Sequence, residues 1–170
     1  SPDKEDMFIT VNVSEGKKYT VSDVRLAGDM IVPEAELLPL LVVKKGDTFT
    51  RDKITDSVTA ITDRLGAEGY AFANINAVPE VDKEKGEVGF TFFVDPGRRT
   101  YVRKINIVGN TRTRDEVIRR EMRQMEAGWY DAAKIKRSKE RLDLLGYFTD
   151  VNVETPAVPD TADQVDVNFK

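Results

Sequence analysis

Alternating apolar and polar positions predict strands at the beginning and at the end of two similar stretches of the chain. In YVRKINIVGN, the apolar residues Val102, Ile105 and Ile107 are followed by a turn at Gly109 and Asn110. Two more alternating runs, FTDVNVETPAV and QVDVNF, close the same stretch. This alternation is typical of a sheet that has one buried face and one face in contact with water.

Apolar residues recur at helical spacing between the opening and the closing strands, which predicts two helices in each stretch. The longer helix has an apolar face formed by Ile54, Val58, Ile61 and Leu65 in the first stretch, and by Ile135, Leu142 and Leu145 in the second. Gly69 and Gly146 are predicted to end these helices. The shorter helix of the first stretch is expected to start near Pro33, a residue suited to a first helical turn.

The shorter helix of the second stretch has a start signal of its own. Thr113 and Glu116 have the T-x-x-E spacing of a capping box. Ile118, Met122 and Met125 follow at i, i+4 and i+7 spacing, so these three residues are expected to face the core.

The two stretches are copies of one unit. Val21 aligns with Val102, and Gly28 with Gly109, at a constant offset of about 81 residues. The order of elements is β-α-α-β-β, twice. The predicted fold class is therefore α+β, with two tandem domains that each have a three-stranded mixed sheet and two helices on one face. The first and last strands of a unit are expected to pair in the middle of the sheet, with the second strand at an edge.

The repeat also sets the expected domain boundaries. Residues 17–97 form the first unit and residues 98–170 form the second. The segment DMFITVNVSEG near the N-terminus is similar to the closing strands GEVGFTFFVDPG and DQVDVNFK. Residues 1–16 are therefore interpreted as the C-terminal strand remnant of a preceding domain of the same kind.

The composition excludes several kinds of chemistry. The sequence has no cysteine and no histidine, so it lacks a zinc site of the usual kind and a Ser-His or Cys-His nucleophile. No pair of carboxylates is marked out by its spacing, and no metal-binding or phosphate-binding motif is present. We therefore expect no enzymatic activity, no catalytic residues, no metal, no cofactor and no small-molecule ligand.

The shorter helix of the second unit is basic although the protein is acidic. The formal net charge is -4, yet residues 112–141 contain ten Arg and Lys against six Asp and Glu, a local net charge of about +4. Arg119, Arg123 and Glu126 are expected to form a row on one face of this helix. The simpler interpretation is a solvated face with weak ion pairs, whereas a docking surface would use the planar guanidinium groups. The corresponding helix of the first unit, PEAELLPLL, contains no arginine.

Several motifs of the sequence resemble a known family. YVRKINIVGNTRTRDEVIRREM, the MEAGWY turn, the LLGYF helix end and DQVDVNF resemble a POTRA domain of the outer-membrane β-barrel assembly factors. GAEGYAFANINAVPEV and FFVDPGRRTYVRKI resemble the POTRA domain before it. The resemblance implies the fourth and fifth of five such domains, and a place in the periplasm as part of an outer-membrane-anchored protein.

The same resemblance implies a function and a set of partners. It implies a non-enzymatic scaffold that receives unfolded outer-membrane protein clients and docks lipoprotein subunits of the barrel-assembly complex through its last domain. It also implies a connection to the protein's own C-terminal membrane barrel. The residues expected to dock the lipoprotein are Arg119, Arg120, Arg123 and Glu126, with Trp129 and Tyr130 as aromatic anchors. Trp129 has an alternative structural interpretation, in which it covers the core between the helices.

Sheet edges are the expected sites for clients, because an added strand is held by main-chain hydrogen bonds that need little sequence preference. The candidate runs are residues 72–79 and 148–156, in which Pro79 and Pro156 are tolerated only at an edge or an end. The candidate residues are Phe72, Asn74, Asn76 and Val78 in the first unit, and Phe148, Asp150, Asn152 and Glu154 in the second. Alternatively, the prolines only protect ordinary sheet edges from aggregation.

The joint DPGRRTYVRK between the units is too short for a flexible tether, and its proline stiffens it. A restricted hinge is expected, with a preferred angle between the units. Its residues are Asp95, Pro96, Gly97, Arg98 and Arg99.

Two other functions fit the residues less well. A β-α-α-β-β order also begins a KH domain, but the loops KKGDTF and MEAGWY lack its GXXG motif, and a pI near 5.1 opposes nucleic-acid binding. Within the POTRA class, the alternatives are a two-partner-secretion transporter, a TamA-like relative or a cell-division protein. The MEAGWY and DQVDVNF motifs favour the assembly factor.

Overall fold

The computed structural model describes residues 18–170 and contains two three-stranded sheets, each with helices on one face. The predicted strand remnant at residues 1–16 lies outside the described residues. The α+β fold class and the two tandem β-α-α-β-β units are confirmed by the order of the elements.

Each unit has its own set of helices and strands. The first contains β1 (Thr20–Gly28), α1 (Glu34–Leu37), a 3₁₀ turn (Leu38–Leu40), α2 (Arg51–Ala67), β2 (Asn74–Asp82) and β3 (Glu87–Asp95). The second contains β4 (Tyr101–Ile107), α3 (Asp115–Glu121), α4 (Ala132–Leu144), β5 (Val153–Glu154) and β6 (Gln164–Phe169).

The closing strand is the central strand of each sheet. The strand order is β1-β3-β2 in the first unit and β4-β6-β5 in the second. The first strand runs parallel to the central strand, and the second strand runs antiparallel to it. The first and last strands pair, and the second strand is an edge, as predicted. The first strand is however also an edge, because a three-stranded sheet has room for a single central strand.

Each unit buries its own apolar core between the sheet and the helices. The predicted face residues of the longer helices are buried or packed against these cores: Ile54, Val58, Ile61 and Leu65 in α2, and Ile135, Leu142 and Leu145 in α4. Gly69 and Gly146 follow the ends of these helices with φ of 103° and 66°. Both glycines therefore end their helices as predicted, and they do so with a positive φ that glycine adopts without strain.

The shorter helix of the second unit does not begin as predicted. The N-cap of α3 is Arg114, and no side chain makes a capping hydrogen bond there. The predicted capping box of Thr113 and Glu116 is therefore wrong, because α3 begins one residue beyond the position that would make Thr113 the cap.

The same helix also ends earlier than predicted. Met122 already has an extended backbone, with φ of -67° and ψ of 136°, so the helical spacing stops after Glu121. Ile118 and Met122 are buried as expected, but Met125 is 70% exposed. Met125, at the i+7 position, lies outside the helix, so helical spacing does not predict the direction of its side chain.

Candidate docking surface and sheet edges

The turn that follows α3 runs along the outer edge of β4. The N–H of Ala127 donates to the carbonyl of Val102 at 2.8 Å, and the N–H of Val102 donates to the carbonyl of Gly128 at 2.9 Å. Tyr101 and Trp129 form an isolated β-bridge beside them. Main-chain hydrogen bonds thus hold residues 127–129 against the beginning of β4.

Further along the same edge, two side chains take the place of this backbone cover. The N–H of Ile105 donates to Oε1 of Glu126 at 2.8 Å. The carbonyl of Ile105 accepts a hydrogen bond from Nη2 of Arg119 at 3.2 Å. Arg119 and Glu126 therefore meet at one residue of β4, although they do not share a helix.

Arg119 is held by two carboxylates as well as by β4. Its Nε lies 2.7 Å from Asp115, one helical turn earlier, and its Nη1 lies 3.5 Å from Glu126. The hydrogen bond to Asp115 is the main reason why the pKa of the Arg119 guanidinium is raised above its ordinary value. The arginine stays charged at any physiological pH, and its side chain is still 44% exposed.

The predicted row of Arg119, Arg123 and Glu126 on one helix face is wrong, because α3 ends at Glu121. Arg123 instead folds back over the end of α3, where its Nη1 donates to the carbonyls of Arg120 and Met122. A cation at this end of a helix is favourable, because it satisfies carbonyls that lack helical partners. Arg120 is exposed.

The two predicted aromatic anchors lie in different surroundings. Trp129 is 41% exposed and stacks on Tyr101 with ring centroids 3.8 Å apart. The guanidinium of Arg99 also lies over the Trp129 ring, 4.2 Å from its centre. Tyr130 is packed against the core of the second unit, and burial raises the pKa of its hydroxyl. Trp129 is thus available at the surface, whereas Tyr130 is mainly a core residue.

A groove of about 350 Å³ adjoins Ile105, Arg119 and Glu126. Its other walls are Met122, Gln124 and the exposed Met125. Gln124 is a residue that sequence reasoning misses. It is 2% exposed, and its amide nitrogen donates to the carbonyls of Met125 and Trp129. The sequence shows only a polar residue between two methionines. This pattern does not predict that its side chain is buried or that it holds the turn by hydrogen bonds.

The edge strand β2 is long and regular, and nine residues of it pair with β3. Asn74, Asn76 and Val78 lie in it as predicted, whereas Phe72 precedes it and is 45% exposed. Pro79 sits inside the strand, where a missing N–H is tolerated only if it faces away from the sheet. The open side of β2 adjoins an apolar groove of about 450 Å³, whose lining includes Phe49, Ile54, Val81 and Phe90.

The corresponding edge of the second unit is much shorter than predicted. Only Val153 and Glu154 are regular strand, so Phe148, Asp150 and Asn152 lie before β5. Phe148 packs against the core, and Asn152 exchanges two main-chain hydrogen bonds of 2.9 Å with Lys170. Main-chain pairing therefore extends the edge by one residue, to Asn152, and the alternation before it comes from side chains that cover the core.

The joint is bonded to both units. The N–H of Gly97 donates to the side chain of Asp95 at 3.1 Å, and Pro96 between them in sequence is buried. Nε of Arg99 donates to the carbonyl of Glu68 at 3.0 Å, at the end of α2. Arg98 is exposed.

Thr100 completes this attachment from a fully buried position. Its N–H donates to the carbonyl of Gly69 at 2.8 Å, and its carbonyl accepts from the N–H of Tyr130 at 2.8 Å. One residue therefore joins the end of α2 in the first unit to the turn that runs along β4 in the second.

Within residues 18–170, no group of three or more acidic side chains is arranged to hold a metal ion. None of the helices described in that range has the length and apolar character that crossing a membrane requires.

A family model described as "POTRA: Surface antigen variable number repeat" matches residues 19–97 and again residues 100–170. The chain belongs to the POTRA family. The two matches coincide with the two units of the structure, so each unit is one POTRA domain.

Curated relatives and solved structures agree with this family. The protein is 42% identical to the outer membrane protein assembly factor BamA of Neisseria meningitidis serogroup B, over 98% of its own length and 21% of that protein. It is 30% identical to BamA of Buchnera aphidicola, over 99% of its own length and 27% of that protein. It thus spans about a fifth to a quarter of the length of these relatives.

Among solved structures, POTRA domains 3–5 of Haemophilus influenzae BamA match with a TM-score of 0.83 and 38% identity, over 89% of this protein and 60% of that one. BamA of Haemophilus ducreyi lacking POTRA domains 1–3 matches with a TM-score of 0.71 and 37% identity, over 89% of this protein and 29% of that one. Both comparisons align a tandem pair of POTRA domains with those of BamA.

Proposed function

We propose that the protein is the fourth and fifth POTRA domains of a BamA-type assembly factor, with residues 17–97 and 98–170 as the two domains. In this role it is a non-enzymatic scaffold in the periplasm that receives unfolded outer-membrane protein clients and docks lipoprotein subunits. The similarity to a BamA structure that lacks POTRA domains 1–3 supports this position in the arm.

The observation that carries the client role is the open edge of β2 beside an apolar groove. The open edge is nine residues long, and alternate side chains of an added strand can enter the groove lined by Phe49, Val81 and Phe90. Pro79 on this edge can accept a main-chain hydrogen bond but cannot donate one. Main-chain hydrogen bonds supply affinity for many sequences, and the groove selects segments that have apolar residues at alternate positions. Strands of membrane barrels have this alternation.

An NMR titration tests the client role. A synthetic peptide with the alternating sequence of a barrel strand is expected to shift the amide signals of Ile75, Ala77 and Val81, whose N–H groups alternate with Pro79 on the open side of β2. The control peptide has prolines at alternate positions, because it keeps apolar groups but cannot donate the main-chain hydrogen bonds. Equal shifts with both peptides, or shifts that spare β2, would show that clients do not add a strand there.

The observation that carries partner docking is the exposed charge pair of Arg119 and Glu126 beside the groove of Met122 and Met125. A guanidinium and a carboxylate that lie 3.5 Å apart present both signs of charge to a partner, next to an adaptable apolar surface.

The other predicted docking residues remain proposed contacts. Arg120 is exposed, Arg123 has a role at the helix end, Trp129 lies at the surface, and Tyr130 belongs mainly to the core. Arg120 and Trp129 are therefore better placed to contact a partner than the other two.

Calorimetry with the lipoprotein subunit of the same assembly complex tests docking. Glu126→Lys reverses a charge at the centre of the proposed surface and is expected to weaken binding at least tenfold, since like charges across an interface are repelled. Asp143→Lys, on the outer part of α4, is the matched charge-reversal control and is expected to leave affinity unchanged. Unchanged affinity for Glu126→Lys would exclude docking at this surface.

A further inference from the structure

The outer edge of β4 is covered in two different ways. At Val102 the cover is backbone, because residues 127–128 form two hydrogen bonds of 2.8 and 2.9 Å with it. At Ile105 the cover consists of the side chains of Arg119 and Glu126. These two side chains bond the groups that a neighbouring strand would bond, a backbone amide and a backbone carbonyl.

Ile107 is the next residue whose backbone groups face the outer side of β4, and none of the described residues covers them. Val108 donates to the carbonyl of Phe169, so its backbone N–H faces β6. Alternation therefore turns the N–H and carbonyl of Ile107 to the outer side, the same side as those of Ile105. The open part of the edge begins where the Arg119–Glu126 cover ends.

We propose that residues 105–107 of β4 are a second strand-docking site, and that the Arg119–Glu126 pair is a removable cover over it. The occupant is an extended protein segment with an apolar side chain for the methionine groove. Two positions before and two positions after that residue, on the same face of the strand, the segment carries an acidic side chain for Arg119 and a basic side chain for Glu126. Its backbone replaces the two side chains at Ile105.

The cover can be removed because both side chains reach the solvent. Arg119 is 44% exposed and Glu126 is 43% exposed, and the contact between them is 3.5 Å long. Exposed ion pairs of this kind contribute little to stability, since water screens them and long side chains lose freedom when they form. A docking segment with opposite charges forms new ion pairs with both side chains when they leave the edge of β4.

The groove supplies the selectivity that a bare edge lacks. About 350 Å³ of space adjoins Ile105, with Met122 and the 70% exposed Met125 on its walls. Methionine side chains are unbranched and polarizable, so they adapt to apolar groups of different shape. A groove next to an edge receives alternate side chains of an added strand.

The cover is confined to the second domain. At the repeat offset of about 81 residues, Arg119 corresponds to Leu38 and Glu126 to Lys45. Leucine cannot donate a hydrogen bond to a strand carbonyl, and lysine cannot accept one from a strand N–H. The Val24 N–H that corresponds to that of Ile105 is bonded by the neighbouring Asp23. The proposal extends the proposed docking function, because a partner that binds Arg119 and Glu126 would uncover an edge for a strand.

Hydrogen exchange at single amides tests the cover. In the 170-residue protein, the Arg119→Ala/Glu126→Ala double variant is expected to speed exchange of the Ile105 amide roughly tenfold, because its acceptor is gone. Arg120→Ala, on the same helix, is the matched control and should leave that rate unchanged. An unchanged Ile105 rate in the double variant would overturn the proposal.

Strand docking is tested by titrating the same proteins with a synthetic extended peptide that has leucines at alternate positions and no charged side chains, so that the double variant removes the cover without removing a partner of the peptide. Shifts at Ile105 and Ile107 are expected to saturate at several-fold lower peptide concentration in the double variant than in the unmodified protein. Equal titration curves, or shifts that avoid β4, would overturn the proposal. Shifts that depend on protein concentration without peptide would do the same, since they would assign the edge to a second copy of the protein.

A second variant separates folding from docking. Glu126→Gln keeps an acceptor for the Ile105 amide but loses the charge that holds Arg119, so it should fold normally and still ease peptide access. If this variant gives well-dispersed spectra but titrates like the unmodified protein, the removable cover is wrong. Failure of the client role is read separately in the same spectra, at the amides of Ile75 and Ala77 in β2.

Discussion

Ala127 and Gly46 occupy the same place in the two domains, and both have a left-handed backbone. Their φ angles are 60° and 90°, and their N–H groups donate to the carbonyls of Val102 and Val21 at 2.8 and 2.7 Å. This conformation costs a residue with a Cβ roughly 1–2 kcal/mol, whereas glycine adopts it freely. The alanine therefore holds the turn beside Glu126 under local strain.

Opposite substitutions at these two residues should have opposite effects. Ala127→Gly is expected to stabilise the second domain by about 0.5 kcal/mol, the relieved strain less the larger freedom of glycine in the unfolded state. Gly46→Ala is expected to destabilise the first domain by about 0.5 kcal/mol, the strain less the smaller freedom of alanine in the unfolded state, because a Cβ there meets no atom within 4 Å and adds no clash. Urea unfolding, followed by amide signals of each domain, measures both. Shifts of the same sign would contradict the argument.

At the scale of single elements, α2 and α4 were predictable and α3 was not. The longer helices repeat their apolar spacing over several turns and end at glycines, so local pattern and tertiary packing agree. α3 has seven residues, and its end is decided by contacts that are distant in sequence. The N–H of Arg123, just past the helix, donates to Oγ of Ser138 in α4 at 2.8 Å. Ser138 lies outside residues 113–126, so the spacing of apolar residues within this segment cannot predict the hydrogen bond.

The buried serine is a repeated link between helices. Oγ of Ser138 accepts from Arg123 and donates to the carbonyl of Lys134, while Oγ of Ser57 accepts from Val42 and donates to that of Lys53. Ser138→Ala leaves the Arg123 N–H without this acceptor. The expected loss is about 1–3 kcal/mol of stability in the second domain.

Trp129 is the single tryptophan of the sequence, so its fluorescence reports urea unfolding of the second domain. Arg137→Ala, at an exposed residue of α4 beside the serine in the same domain, is the control and should change stability by less than about 0.5 kcal/mol. If Ser138→Ala is as mild as this control, the serine does not hold the end of α3.

For the whole molecule, sequence reasoning reached the repeat, the family and a short joint, but not the way in which the joint is fastened. Helix and strand patterns are local, whereas the joint depends on contacts between the domains. Gly66 of α2 lies against Ala132 of α4, where a Cβ would come within 2.9 Å of the alanine methyl. For the same reason the sequence pointed to Arg119 and Glu126 through a helix row that does not exist, while β4 brings them together.

Arg99 is the side chain that fastens the joint to both domains. It donates to the Glu68 carbonyl at 3.0 Å in the first domain and lies 4.2 Å from the Trp129 ring centre in the second. A cation over an aromatic ring contributes about 0.5–1 kcal/mol at an exposed site, and the hydrogen bond adds about 1 kcal/mol. Arg99→Ala is therefore expected to raise the population of other domain orientations roughly tenfold, without unfolding either domain.

Distances between spin labels measure this effect, and the absence of cysteine allows labels to be placed at will. With labels at the exposed residues Lys83 and Lys136, the distance distribution should be narrow in the unmodified protein and broad in Arg99→Ala. Arg98→Ala removes the neighbouring exposed arginine and should keep the narrow distribution. Equal widths in the two variants would mean that the main-chain bonds of Thr100 and the α2–α4 contact hold the angle without Arg99. If the distribution broadens in Arg99→Ala and not in Arg98→Ala, the Arg99 side chain sets the angle between the domains. It then also sets the relative position of the open β2 edge and the Arg119–Glu126 surface.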